Sequence, residues 1–342
     1  LGINGRSVQR DAWPEGRLFK SAFNMSQIGV LLGKMLSGES VIRDFSTVGI
    51  DDNIREKVYL ETGGRVLDVS GNQWLVGLDP RVIGIWLEGD EREGMDPQAR
   101  YRLCFQDDHD ALAVLQLAFF DMIREHDGTL FLFRVTHSDI RHIAAIKARL
   151  LYWKFYRKPG VDFERLKAVA AAYTYPRRVR IISFRLDEDY NYIFPMDLLG
   201  DLRGPKRYLL GMRHSNTVLK RIMDVKKIVV SEVPAEYKWQ IYKLGRNHSA
   251  APPPVSELPF GVVSTREFGF LIPDWAESYK EIHIRHAQDL GSHMLLWGQW
   301  YEDVLLKEAT PRLHHIHFLH FLHQKRDGVM AYPMVSGNVT AG

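Results

Sequence analysis

From Lys57 onwards the chain is a succession of short apolar or alternating runs punctuated by Gly, Asp and Pro, the pattern of strands joined by tight turns. Val58 to Leu60, Gln73 to Leu78, Val82 to Leu87 and Arg102 to Phe105 are predicted as strands in the first half, followed by Thr129 to Val135. Between them, Leu112, Leu115, Ala118, Phe119, Met122 and Ile123 recur at three- and four-residue spacing. That spacing predicts a helix capped by Asp110 and ended by Gly128. Further helices are expected near Ile140 to Tyr156 and from an Asp162 cap to about Ala172. Residues 1 to about 55 are weakly periodic apart from a short helical candidate at Gln27 to Met35, and read as an arm or surface layer.

After Pro176 the strand pattern returns. Arg178 and Arg180 alternate with Val179 and Ile181, and Ile182, Phe184 and Leu186 continue the run. Asp187-Glu188-Asp189 turns the chain into Tyr192 to Met196, which gives a hairpin. Tyr208 to Met212 and Ile228 to Val230 are further strands. A helix opened by His214 to Thr217 separates them, with Val218, Leu219, Ile222 and Met223 on its apolar face. Ile282 to His286 and His293 to Trp300 form a second hairpin across Asp289-Leu290-Gly291-Ser292. Many short strands around one helix predict a small closed barrel rather than a doubly wound sheet. No internal repeat is visible in the sequence. The expected organisation is an α+β domain over residues 1–170 and a mainly β domain with a C-terminal extension over residues 171–342.

Composition narrows the function classes. The 342 residues carry 45 basic and 42 acidic side chains, a net charge of +3. That balance argues against a nucleic-acid binder, yet suits a small anionic ligand held by one or two local cations. No apolar run is long enough to span a bilayer, and the start of the chain does not read as a signal peptide. With a single cysteine, Cys104, no intrachain disulfide can form. Together these features lead to the expectation of a cytoplasmic protein.

Three segments of the second half carry candidate chemistry. Met212 to Thr217 is a strand-to-helix junction bearing Arg213, His214, Ser215, Asn216 and Thr217, with Lys220 one turn on. A helix start exposes unpaired backbone N–H groups, and hydroxyl, amide and guanidinium donors there make an anion site. The same residues also read as an ordinary N-cap beside a solvated arginine. Pro195, Met196, Asp197 and Leu198 end a hairpin strand at a proline that cannot donate to a ladder. Such an end is an edge where backbone groups and Asp197 can meet the polar rim of a heterocycle, or simply a structural turn. His293 shares a strand face with Leu295 and Trp297, and is either ligand-facing or hydrogen-bonded at the strand end.

These segments, with Pro176-Arg177-Arg178-Val179 before them and Val229-Val230-Ser231-Glu232 between them, resemble the flavin reductase-like, FMN-binding split-barrel family over roughly residues 175 to 305. The resemblance implies an FMN-binding split β-barrel preceded by the α+β domain. It further implies FMN or FAD as cofactor, NAD(P)H as a transient hydride donor, and a homodimer with flavin in the groove between subunits. It places the cofactor at Pro195 to Leu198, Arg213 to Thr217, Lys220 and His293. The implied activity is flavin reduction; a non-catalytic flavin- or ligand-binding module used for sensing or assembly is the alternative. Two departures stand out: Tyr192 occupies a position where many members carry asparagine, and Asp197 and Asp201 replace small hydroxyl residues. Carboxylates repel phosphate, so the anion end falls at Arg213 to Lys220.

Three other clusters read as structural. His314, His317, His320 and His323 are interleaved with Leu and Phe after Thr310-Pro311, which predicts a packed amphipathic helix rather than a metal site. Asp107-Asp108-His109-Asp110 reads as helix capping. Cys104 lies in an apolar strand and reads as core.

Overall fold

The computed structural model describes residues 45–51, 53–108, 110–155, 163–202, 204–245, 252–326 and 332–339; the expected helix at Gln27 to Met35 and the Asp162 cap lie outside them. The fold is mainly β. In chain order the first strands are β1 (Phe45–Ile50), β2 (Lys57–Thr62), β3 (Arg65–Asp68), β4 (Gln73–Leu78), β5 (Arg81–Glu88), β6 (Tyr101–Gln106), β7 (Ala111–Arg124) and β8 (Gly128–Ile140). Helices α1 (Ala145–Phe155) and α2 (Phe163–Ala172) follow. Then come β9 (Arg177–Arg178), β10 (Arg180–Arg185), β11 (Asn191–Met196), β12 (Leu199–Leu202) and β13 (Arg207–Arg213), helix α3 (Leu219–Val225) and β14 (Lys227–Glu232). Helix α4 (Lys238–Gly245) precedes β15 (Val262–Ser264), β16 (Leu271–Pro273), β17 (Ser278–Asp289), β18 (His293–Leu305) and β19 (Arg312–His317), and helix α5 (Phe318–Arg326) precedes β20 (Met334–Val339).

Two seven-stranded antiparallel sheets dominate. The first has the order β3-β2-β6-β7-β8-β5-β4 and the second β11-β10-β14-β17-β18-β13-β12. Numbered within each sheet from its own first strand, both orders are 2-1-5-6-7-4-3, so the chain contains the same topology twice. The repeat is invisible in the sequence because a strand order constrains only which positions are apolar, not which residues fill them. Each sheet wraps its own core. Leu60, Ile83, Phe105, Leu115 and Phe133 fill the first, and Phe184, Phe194, Tyr208, Ile228, Ile282 and Trp300 the second. A third core is shared: Trp74, Val76 and Trp86 of the first sheet pack with Leu209, Leu295 and Trp297 of the second. The Trp86 and Trp297 rings stack with centroids 5.6 Å apart.

The closest approach across this seam is at Gly211 of β13. A Cβ there would sit 2.0 Å from the Val76 carbonyl oxygen, so β4 can lie on β13 only over a residue without a side chain. A smaller sheet, β20-β1-β19-β9, closes the molecule by pairing the earliest described strand with the last two, for example Phe45 with His317. Helices α1, α2 and α5 share a cluster that includes Leu151, Ala170, Phe318 and Leu322.

Two sequence expectations are corrected here. The segment from Asp110 to Gly128 is not a helix: Ala111–Arg124 is strand β7, hydrogen-bonded to β6 and β8. Leu112 to Leu115 are buried on both faces, so the alternation that marks a strand is absent and helical spacing arises by coincidence. The histidine run is likewise not one helix, because β19 ends at His317 and α5 begins at Phe318.

Candidate functional site

The strand-to-helix junction after β13 forms as the sequence suggests, but no side chain caps the helix. The side chain of Asn216 accepts from the Val218 N–H at 3.0 Å, and its backbone N–H donates to the Arg213 carbonyl at 3.0 Å. Asn216 is buried, and α3 starts at Leu219. Capping therefore consumes neither Ser215 nor Thr217. Ser215 is exposed, and the Thr217 hydroxyl lies 3.2 Å from the Tyr192 hydroxyl. Arg213 and Lys220 are exposed, and their charged groups have no hydrogen-bond or ion-pair partner among the described residues. His214 Nε2 sits 3.1 Å from Asp289 Oδ1.

His293 opens β18 directly opposite Arg213 in the ladder. Asp79 donates its backbone N–H to Ser292 Oγ at 2.8 Å, and that hydroxyl meets His293 Nδ1 at 2.7 Å. The Ser292 hydroxyl can donate to Nδ1, and the tautomer that accepts this bond carries its ring proton on Nε2. Nε2 is buried without a hydrogen-bond partner. Burial first, then the neighbouring Arg213 and His214, push the imidazole down to about 4, so it is neutral at pH 7. Gly291 holds this turn at a φ of 98°, a left-handed conformation that favours glycine.

Asp197 stands at the other end of the region. Its Oδ2 accepts from the Tyr173 hydroxyl at 2.9 Å and lies 2.7 Å from His315 Nδ1. Burial pushes its carboxyl up, but the bonds from His315 and Tyr173 and the charge of Arg177 outweigh that and hold it below the usual carboxylate range. Tyr173 is pushed well up by burial and by Asp197, while the charges of Arg177 and Arg213 oppose that rise. Pro195 lies on β11, an edge strand, where a residue without an N–H costs no ladder bond. Met196 packs on the second core. Leu198 crosses over: its side chain joins the core of the first sheet.

Of the candidate cofactor residues, only Asp197 lines a cavity of about 440 Å³ between the two sheets. Its walls include Gln73, Trp74 and Glu88 from the first half and Arg177, Arg178, Asp201 and Pro205 from the second. Beside it lies a buried ionic network that the sequence reading missed. Arg180 pairs with Glu232, Arg178 approaches Glu232 at 3.6 Å, and Lys280 bridges Asp201 at 3.0 Å and Asp303 at 2.8 Å. Burial pushes Glu232 up, but Arg180 and Arg178 overcome it and bring the carboxyl down to about 2. The alternation around Val179 named no partner for Arg180, which is buried with Glu232 and Tyr208. A signal was present: an arginine two residues before Ile182 and Phe184 must point the same way as they do.

The other clusters have structural partners. His314 Nδ1 lies 2.9 Å from the Arg312 carbonyl oxygen, and His320 Nε2 lies 2.8 Å from buried Glu56. No group of three or more His, Cys, Asp or Glu side chains arranged to hold a metal occurs among the described residues. Asp107 and Asp110 cap each other in the β6–β7 hairpin rather than a helix: Asp110 N–H donates to Asp107 Oδ1 at 2.7 Å. Cys104 is buried in β6, as expected. Among the described residues no helix is long and apolar enough to cross a membrane.

No protein-family model matches the chain, and no curated protein matches it. Solved structures do. The NADH:FAD oxidoreductase of Streptomyces globisporus C-1027 is 16% identical, covering 45% of this chain and 93% of its own, with a TM-score of 0.38. The styrene monooxygenase flavin reductase of Pseudomonas putida S12 is 12% identical over 44% of this chain and 96% of its own, with a TM-score of 0.37. An FMN-binding protein from Thermus thermophilus with bound p-hydroxybenzaldehyde is 17% identical over 45% and 81%, with a TM-score of 0.35. These three are a flavin oxidoreductase, a flavin reductase and an FMN-binding protein.

Proposed function

We propose that the second seven-stranded unit is a flavin-binding split barrel and that the protein is an NAD(P)H-dependent flavin reductase, with FMN or FAD at the β13–α3 junction. The observation that supports this most directly is the donor set there. Arg213, Ser215 and Lys220 are exposed with their polar groups uncommitted, and a buried neutral His293 has an Nε2 without a hydrogen-bond partner. An anion with a polar heterocycle attached satisfies both requirements at once. When bound, a flavin supplies acceptance and release of hydride. Arg213 and Lys220 would neutralise its phosphate, Ser215 and Thr217 would offer it hydroxyls, and His293 would meet it through Nε2. The edge from Pro195 to Leu198 borders the ring, with Asp197 fixed in place by Tyr173 and His315. No side-chain acid or base is required for hydride transfer, and a nicotinamide would reach the flavin from its solvent side. A single buried cysteine suits a reducing compartment, and we place the protein in the cytoplasm.

The test is the absorption spectrum of the purified protein with FMN, followed by NADH or NADPH. Bound flavin that bleaches under either nucleotide supports the reductase. Binding without bleaching returns the non-catalytic flavin-binding module, and failure to bind FMN refutes the cofactor assignment. The double replacement Arg213→Ala, Ser215→Ala should weaken FMN by roughly tenfold or more, since a hydrogen bond to a charged group contributes about 1.5–3 kcal/mol. Unchanged affinity would show that the phosphate lies elsewhere.

A further inference from the structure

We infer that the first half of the chain is a built-in partner for the second: one polypeptide forms both members of a two-fold-like pair, with a single anion-receiving junction. Three observations converge on this.

The first is topological. The unit from β2 to β8 and the unit from β10 to β18 share one strand order, including the crossover that places their fifth strands, β6 and β14, beside their first.

The second is the reciprocity of their contacts. The turn between the third and fourth strands of the first unit (Asp79, Pro80) meets the turn between the sixth and seventh strands of the second. There Ser292 donates its backbone N–H to the Asp79 carbonyl at 2.7 Å, and a Cβ on Gly291 would lie 2.7 Å from Pro80 Cδ. The converse contact is also made. Arg207, ending the corresponding turn of the second unit, pairs with Glu125 in the sixth-to-seventh turn of the first at 3.4 Å. Contacts in which patch i meets patch j and patch j meets patch i are the signature of an isologous interface. Here both patches lie in one chain, and the dry seam around Trp86 and Trp297 covers the face that a second copy would need.

The third observation is that the two halves differ where an anion would bind. After its fourth strand the second unit presents Arg213, Lys220 and Arg221, with no carboxylate up to the second turn of α3. The equivalent connection of the first unit, residues 89–100, opens with a 3-10 turn, Gly89–Arg92, set among Glu88, Asp90, Glu91 and Glu93. Its cations are Arg92 and Arg100, and the Arg65 guanidinium is held by the Asp90 and Glu93 carbonyls. Glu88 is further committed to the Trp86 indole N–H at 2.7 Å. Four carboxylates in six residues repel a phosphate, so the first unit contributes walls and packing, and the second contributes the anion-receiving junction. The homodimer implied by the sequence resemblance is thereby replaced by a tandem pair with one ligand rather than two.

The number of flavins rests on the function proposed above; the pairing does not. Light scattering of the full chain over a hundredfold concentration range, together with FMN titration, tests both. The expected result is the mass of one chain throughout and one FMN per chain. A mass of two chains refutes the pairing, and two FMN per chain refute the single junction. One-chain mass with no FMN bound refutes the flavin reading and the single junction with it, and upholds the pairing. As an internal check, Arg213→Glu should abolish FMN binding at micromolar concentration, whereas Glu91→Arg should leave it within twofold. The reverse pattern would place the anion on the first unit and overturn the assignment.

Discussion

Replacement of Gly211 by alanine tests the seam more sharply than any truncation. The added Cβ would lie 2.0 Å from the Val76 carbonyl oxygen, 2.7 Å from its carbon and 3.0 Å from its Cα. Ordinary van der Waals contact begins near 3.4 Å, so β4 must retreat by more than 1 Å. All three obstructing atoms are backbone, and no rotamer change relieves them. Nor can β4 move freely, because Trp74 and Val76 are buried in the shared core and Trp74 lies against Gly200 of β12. Overpacking of this kind costs on the order of 3 kcal/mol, the upper part of the usual range. Urea unfolding followed by tryptophan fluorescence measures it directly, since Trp74, Trp86 and Trp297 all lie in the seam. Gly71→Ala is the control: a Cβ there meets nothing within 4 Å, and the loss should stay below about 0.5 kcal/mol. If Gly211→Ala were as stable as the control, the close approach of β4 to β13 would be wrong, and the pairing of the two units with it.

Other expectations follow from buried charge. Arg180→Met leaves Glu232 ionised in the interior without its closest partner and should cost about 3–5 kcal/mol in urea; a loss under 1 kcal/mol would refute the pairing. Glu232 falls from 4.5 to about 2 on folding, so its stabilisation is fully present above pH 4.5 and is lost as the pH drops towards 2. Glu232→Gln should therefore flatten the stability profile over that window, and an unchanged slope would assign the acid sensitivity to other groups. The Cys104 thiol, pushed up to about 11 first by burial and then by Glu61, should react with a disulfide reagent at pH 8 only after unfolding; rapid reaction of the native protein would contradict its place in β6.

The second half was legible in sequence because its strands alternate or end at unmistakable turns. Asp187-Glu188-Asp189 and Asp289-Leu290-Gly291-Ser292 fixed two hairpins, and β10–β11 and β17–β18 pair across them. The first half was harder for a physical reason. Strand β7 is buried on both faces over much of its length, so periodicity had nothing to report, and Gly128 is required by the Trp86 ring, 2.3 Å from its would-be Cβ, rather than by a helix end. The histidine run was read locally, but His314 and His317 belong to a strand whose partner, β1, lies near the other end of the described chain. Individual site residues were visible; their pairing was not. Nothing in the sequence around Arg180 names Glu232, and nothing around Asp197 names His315, because such partners meet only once the sheets have closed.

The small sheet that joins β1 to β19 and β20 sets an order of events. Strand β1 emerges from the ribosome first among the described strands and can find its neighbours only after nearly all the rest has been made. Contacts between such distant positions form slowly, because a long loop must close before they stabilise anything. Until then Val48 and Ile50, both buried in the finished molecule, remain uncovered on an unpaired strand. The two seven-stranded units, each closed within its own stretch of chain, can fold in turn as they appear. The terminal sheet is then the last element to lock, and the interval before it closes is when a nascent chain is most open to aggregation.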